Sequence, residues 1–140
     1  MKNFKILIPV YNDWQSLSKL LSNIDNEIKN LTHKFSIIII DDASTFDRQL
    51  EIENLSNINS IKILSMRENK GHARCIATGL KYIFEKEEFD YAIPMDGDGE
   101  DRPEEIIEFI KSSESAPEQT IVGERVKRSE AFIFKFCYFF

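Results

Sequence analysis

Cysteine, proline and glycine are scarce in this sequence, at two, four and five among 140 residues, and there is a single tryptophan. Cys75 and Cys137 lie far apart and follow no metal-ligand or redox spacing, so free thiols in a reducing compartment are expected. Long hydrophobic runs are missing as well. No apolar stretch approaches the roughly 20 residues that span a bilayer. The opening Met1-Lys2-Asn3-Phe4-Lys5 runs straight into a strand-like segment with no signal-peptide pattern, so the cytoplasm is the expected compartment. Positive charge is also short. Against 24 Asp and Glu stand 18 Lys and Arg, a formal charge of −6, which argues against a nucleic-acid partner. An anionic ligand would need a metal ion or backbone donors to offset that charge.

What is present is ordinary for one globular domain, with 42% hydrophobic and 30% charged residues. Apolar segments alternate with helical ones, which predicts an α/β fold with a mostly parallel sheet and helices on both faces. Residues 4–10, 35–40, 61–66 and 91–95 read as strands, with 120–123 a short fifth. The second is apolar on both faces and so central. A helix after the first strand is marked by Trp14, Leu17, Leu20, Leu21, Ile24, Ile28 and Leu31 at helical spacing. Asn12 or Asp13 can cap it, with Gln15 closing a box on Asn12. A weaker polar helix is expected over 47–55. From Ala73 to Phe84 the pattern predicts a helix with Ala73, Ile76, Ala77, Leu80 and Phe84 facing inward. Asp101 and Glu104 form a capping-box pattern for a last helix to about residue 113, with Pro103 in its first turn.

In an open parallel sheet, ligands bind at the carboxyl ends of the strands. Those ends carry Tyr11-Asn12, Asp41-Asp42, the loop from Asn69 to His72, and Asp96-Gly97-Asp98. The last is the sharpest. Asp98, Glu100, Asp101 and Glu104 follow Asp96 with only Arg102 to offset them, and close carboxylates repel by about 1 kcal/mol or more per pair even near water. A hard divalent cation with oxygen ligands, Mg²⁺ or Mn²⁺, would remove that cost. Gly97 and Gly99 would let the backbone approach a bulky ligand. Asp101, Glu104 and Glu105 are equally well read as helix-start acids.

Asp41 and Asp42 close an apolar strand and point to opposite sides, so one can meet a nucleobase or ribose while the other caps the turn. Lys70, Gly71, His72 and Arg74 precede a helix and could meet a diphosphate there, although the P-loop pattern is absent. Lone His72 reads more simply as a solvated or supporting residue, and His33 as surface. Gly123-Glu124-Arg125-Val126-Lys127-Arg128 is either a solvated basic face or the cations opposite a leaving diphosphate. Residues 131–140 are dominated by Phe and Tyr with no polar tail. Such a surface must be buried, so the sequence reads as continuing into further chain, or as lying on a membrane or a partner.

In order along the chain, Ile8-Pro9-Val10-Tyr11-Asn12, Ile40-Asp41-Asp42-Ala43-Ser44, Asn69-Lys70-Gly71-His72-Ala73-Arg74 with Gly79, and Asp96-Gly97-Asp98-Gly99-Glu100-Asp101-Arg102-Pro103-Glu104 resemble the family 2 glycosyltransferases. The likeness is greatest to the polyprenyl- and dolichol-phosphate sugar transferases. It implies a Rossmann-like GT-A nucleotide-sugar-binding fold over 1–128, the N-terminal donor-binding part. An aromatic amphipathic segment follows over 129–140, the start of a helix in a longer protein. By the same resemblance Pro9, Tyr11, Asp41 and Asp42 belong to the nucleobase and ribose pocket, with Lys70 and Gly71 on the donor. Asp96 would touch the nucleotide, and Asp98 and Glu100 would hold Mg²⁺ or Mn²⁺ on the diphosphate, with Asp96 and Asp98 the catalytic acids. Arg125 and Arg128 would face phosphate. Glu100 stands where this branch usually has glutamine, and Arg102 where proline is usual. The acceptor-side strands, where many members carry a catalytic base, do not occur here.

The resemblance implies metal-dependent transfer from a UDP- or GDP-sugar, with inversion, onto a polyprenyl phosphate, and a peripheral position at the inner face of the membrane. A lipid phosphate is already ionised and needs no base, whereas a saccharide hydroxyl does. A family member acting on a saccharide hydroxyl, or a truncated non-catalytic nucleotide-sugar module, are the alternatives. A receiver-like signalling domain is disfavoured, because Tyr11-Asn12 and Arg67-Glu68 occupy the positions of its acids.

Overall fold

The structure, a computed structural model, describes residues 1–116 and 119–121. The chain divides into two compact units, Met1–Ile107 and Glu108–Phe140. The boundary expected at 128, the basic run at 123–128 and the aromatic segment lie outside the described residues. Thr120 and Ile121 belong to no strand, and the rest of the expected fifth strand also lies outside.

Four strands form one sheet, β1 (Asn3–Val10), β2 (Lys34–Asp41), β3 (Ser60–Ser65) and β4 (Tyr91–Pro94), in the order β3-β2-β1-β4 and all parallel. The expected α/β class with a parallel sheet is therefore the observed one. β1 and β2 are buried along nearly their whole length, as continuous β-branched and leucine runs require when both faces are covered. β3, at an edge, is half-buried. At the amino ends, Phe4 stacks on Phe35 of β2 at 5.4 Å and on Tyr91 of β4 at 5.2 Å, which pins the register across three strands. His33, read as a surface residue, packs edge-on to Phe4 at 5.3 Å.

Helix α1 (Trp14–Ile28) buries Trp14, Leu17, Leu20, Leu21, Ile24 and Ile28, the stripe its spacing predicts except for Leu31, which lies past the helix end and is only half-buried. Its cap is Asp13, whose Oδ1 accepts from the Ser16 amide at 3.1 Å. Asn12 does not take part, because its side chain is used elsewhere. Helix α2 (His72–Lys86) lies on the sheet face that carries Leu7, Ile38 and Ile40. Ile6, Ile8, Ile37 and Ile39 on the opposite face are equally inaccessible. Right-handed crossovers running in opposite directions from the sheet centre put α1 there.

The face of α2 differs from the expected one. Cys75, Gly79 and Ile83 are buried, whereas Leu80 is 39% and Phe84 80% exposed, with Ala73 and Ala77 also outside. Gly79 is the reason. A Cβ there would lie 2.2 Å from Leu7 Cδ1 and 3.1 Å from Ile40 Cγ1, so the helix seats its glycine against the sheet and gains close backbone contact. Apolar periodicity gives glycine no weight and so selected the wrong stripe.

Residues 47–55 form no helix. The segment is tied down by polar bonds instead. The Ser18 hydroxyl accepts from the Glu51 amide at 3.1 Å, and buried Asp25 on α1 accepts from the Asn57 and Ile58 amides at 2.7 and 3.0 Å. Burial raises the Asp25 pKa, but the bonds from Asn57 and Ile58 outweigh it and leave it lowered. The last helix opens as a 3-10 turn (Pro103–Glu105) before α3 (Ile106–Ser115). The capping box does not form, since Arg102 occupies the cap and Asp101 bonds elsewhere.

One buried ion cluster ties α2 to the sheet. Lys5 of β1 contacts Glu87 at 3.0 Å with both side chains under 10% exposed, and Lys62 of β3 reaches the other carboxylate oxygen. The Lys62 hydrogen bond, and then Lys5, hold the Glu87 carboxyl below its usual range. A depressed acid stabilises the fold above the ordinary carboxylate range and loses that contribution as pH falls through its folded value. Glu87→Ala leaves Lys5 buried without its partner and should cost about 3 kcal/mol in urea unfolding at pH 7, and less at pH 3. Gly79→Ala should cost about 1–3 kcal/mol in the same measurement, because Leu7 and Ile40 have no free space into which to move.

Candidate functional site

The carboxyl ends of the strands are joined by side-chain bonds rather than left as independent loops. Asn12, at φ 60, stands just past β1, and its Oδ1 accepts from the Thr45 and Phe46 amides at 2.8 and 3.0 Å. Its own amide donates to Ser44 Oγ at 2.9 Å. Asparagine tolerates the left-handed region, but Ala43 at φ 59 does not do so readily, and strain of order 1–3 kcal/mol is held there by these bonds. The sequence offers Asn12 as a helix cap; the signal in it for the role it takes instead is the residue type, since asparagine enters the left-handed region more readily than most.

Asp41 and Asp42 do point to opposite sides, and both are buried. Asp41 turns toward β3. Its Oδ1 accepts from the Ser44 amide at 2.9 Å and its Oδ2 from Arg48 at 3.2 Å. Burial raises its pKa, but Ser44 and Arg48 outweigh that and hold it below the usual range. Arg48 in turn lies 5.2 Å over the Trp14 ring. Asp41 therefore forms the turn that follows β2, with each carboxylate oxygen bonded within the protein.

Asp42 accepts from the Lys70 amide at 2.7 Å with one oxygen and from the Gly71 amide at 2.8 Å with the other. Both amides are thus held by a carboxylate of the protein, and the Lys70 ammonium pairs with Glu68. Gly71, at φ +85, makes this turn and caps α2. Cys75 lies one turn further on. Burial first, then its hydrogen bond to Asp42 and the charge of that group, push the thiol up to about 12, so it remains protonated and inert.

The acidic turn closes over the end of β1. A Cβ on Gly97 would lie 2.7 Å from the Pro9 carbonyl oxygen, so Gly97 serves approach to the strand rather than to a ligand. Pro9 is buried beneath it. Gly99, at φ +84 with open space around it, turns the chain. The Asp96 amide donates to Asp101 Oδ2 at 2.8 Å, and the Glu100 amide to Asp98 Oδ1 at 2.9 Å. His72 Nε2, at the start of α2, lies 3.1 Å from Asp96 Oδ1. Desolvation raises the Asp96 pKa; His72 opposes the rise, while Asp101, Asp98 and Glu100 add to it.

Asp96, Gly71, His72 and Asp42 are thus linked at the crevice where β1 meets β4, the point at which strand order reverses. Tyr11, 49% exposed, stands at the same edge. Asp98 and Glu100 are exposed on the turn. Arg125 and Arg128 lie outside the described residues. Among the described residues no three His, Cys, Asp or Glu converge as a ready cage. That donor set still suits Mg²⁺ or Mn²⁺ arriving with a diphosphate, since such ions take one or two carboxylates, phosphate oxygens and waters.

The profile described as Glycosyl transferase family 2 matches residues 5–135. The undecaprenyl-phosphate 4-deoxy-4-formamido-L-arabinose transferase of Proteus mirabilis is 30% identical over 122 residues, covering 86% of this chain and 36% of its own. The UDP-N-acetylglucosamine–dolichyl-phosphate N-acetylglucosaminyltransferase of Methanococcus voltae is 30% identical, covering 91% of this chain and 53% of its own. The chain therefore spans about a third to a half of the length of these curated relatives. In fold it is similar to S. aureus TarS 1-349, crystallised with UDP-GlcNAc, at a TM-score of 0.61 and 19% identity over 91% of this chain and 37% of that one.

An acid whose pKa is raised on folding destabilises the fold as pH rises through its folded value. Asp96→Asn should therefore raise the melting temperature at pH 7 by roughly 1–3 °C, the effect of a few tenths of a kcal/mol. Scanning calorimetry at falling pH should show the gain shrink through the carboxylate range and vanish below it.

Proposed function

Because the chain belongs to glycosyl transferase family 2, we propose that it is the donor-binding part of a metal-dependent transferase. The enzyme takes the sugar from a UDP- or GDP-sugar and passes it, with inversion, to a polyprenyl phosphate. The observation that carries this reading is the acidic turn seated over β1 at the switch point and tied through His72 to the start of α2. The lipid-phosphate names of the two relatives support the acceptor class. TarS supports the fold, and the UDP-GlcNAc with which it was crystallised makes UDP the first nucleotide to try.

In this reading Asp98 and Glu100 hold Mg²⁺ or Mn²⁺. The bound ion supplies Lewis-acid neutralisation of the leaving diphosphate. Asp96 keeps one carboxylate oxygen for a hydrogen-bond donor of the nucleotide, with the other on His72. The exposed Tyr11 ring offers a stacking surface to the base. Asp42 acts through the protein: by holding the Lys70 and Gly71 amides it fixes the edge of the pocket. An ionised lipid phosphate attacks without help from a base. Its position sets the enzyme at the inner membrane surface, and Lys127, Arg128 and Lys135 among the C-terminal aromatics are the sequence features suited to that surface. Among the described residues no helix is long and apolar enough to cross a membrane.

Titration calorimetry with UDP- and GDP-sugars, with and without Mn²⁺, tests the reading. One nucleotide should bind only with the metal, and Asp98→Ala should weaken that binding by at least about a hundredfold, the effect of losing a charged ligand group. Equal binding by both proteins, or binding indifferent to Mn²⁺, overturns the donor-site assignment.

A further inference from the structure

In the Asn69-Lys70-Gly71-His72 loop, the sequence alone leaves His72 between a diphosphate contact and a solvated or supporting residue. Its neighbours in the structure give it a specific task. The Asp42 carboxylate takes the Lys70 and Gly71 amides at 2.7 and 2.8 Å, and Gly71 at φ +85 turns directly into α2. The backbone on which His72 stands is therefore fixed from β2. Its ring crosses to the acidic turn, with Nε2 3.1 Å from Asp96 Oδ1. On the far side the Asp96 backbone is fixed by Asp101, and Gly97 sits against the Pro9 carbonyl. Both ends of the contact are rigid, while both side chains are partly open, at 57% and 40% exposure.

An isolated aspartate on a turn carrying Asp98, Glu100 and Asp101 has every electrostatic reason to swing into solvent. A donor at Oδ1 opposes that, and among the described residues the other oxygen accepts no hydrogen bond. An imidazole donates from Nε2 in its charged form and in one neutral tautomer, so the contact does not depend on the charge of the ring.

We propose that His72 is a positioning residue of the donor site: it holds Asp96 in place for the nucleotide and joins the two halves of the pocket, the Asp42-bound loop and the acidic turn. This rests on the donor-site reading above and deepens it. His72 acts through Asp96. The requirement at position 72 is therefore an N–H donor of the right reach rather than a base or a positive charge.

Two variants separate that requirement from a merely structural role. His72→Leu removes the donor, and His72→Gln keeps one. The dissociation constant of UDP, with GDP in parallel, is measured by calorimetry at saturating Mn²⁺ on folded protein verified by thermal scans. His72→Leu should weaken binding about tenfold, the usual effect of a lost hydrogen bond to a charged group, and His72→Gln should recover most of it. Asp96→Asn added to His72→Leu should cost less than it does alone, because the two act as a unit. In the ligand-free protein, ¹⁵N-edited imidazole spectra should show His72 protonated at Nε2, with a resonance that moves in Asp96→Asn.

Binding by His72→Leu equal to that of the parent, failure of His72→Gln to rescue, full additivity, or an imidazole signal indifferent to Asp96→Asn each overturns the proposal. Failure of the donor-site reading looks different. The parent then binds neither nucleotide with Mn²⁺ although the His72 signal still responds to Asp96→Asn, and the positioning role falls with it.

Discussion

Two backbone N–H groups donated into one buried carboxylate hold the working edge of this protein together. Asp42 follows directly on β2 and is itself buried, and ionised oxygens at such a position need strong partners. The Lys70 and Gly71 amides meet that need. In doing so they draw the chain after β3 across to β2 and set the point from which α2 begins. Every other feature of the edge is placed relative to that point: the protonated thiol of Cys75, the outward ring of His72, and through it the first acid of the turn after β4.

Clearance is the second constraint. At Gly79 a helix reaches the sheet, and at Gly97 a turn reaches a strand carbonyl, each at a distance that a Cβ would forbid. Close backbone approach of this kind is specified by a missing side chain. That explains why α2 turns Leu80 and Phe84 outward although both belong to its more regular apolar stripe. The same clearance lets the acidic turn lie over β1 instead of standing away from it, which brings Asp96 within reach of α2.

Charge is sorted across the sheet. At the amino end Lys5 and Lys62 close on Glu87. At the carboxyl end acids collect with few cations among them, and desolvation first, then the neighbouring acids, raise the Asp96 pKa. Family membership and the fold likeness to TarS agree with the parallel α/β architecture on which this edge is built. The acids are of two kinds. Asp41 and Asp101 are consumed by the fold, whereas Asp96 and Asp98 keep exposed surface.

Local pattern alone determined the four strands, the parallel α/β class, the buried stripe of α1, and the convergence of polar groups at one sheet edge. Those features follow from side-chain type and period, which act over a few residues and are written in the chain. The family was legible for a similar reason, since its motifs are short and occur in order. Tertiary structure decided the rest. It chose the face of α2 through a glycine clearance, tied the 47–55 segment to α1 through Glu51 on Ser18 and the residues just after it through Asn57 on Asp25, and moved Asp101 from a helix cap to the Asp96 amide. It also gave Asp42 the Lys70 and Gly71 amides as partners and gave His72 a partner twenty-four residues away. Each of these outcomes is a competition for hydrogen-bond partners or for space between segments distant in sequence, and only the folded chain brings the competitors together.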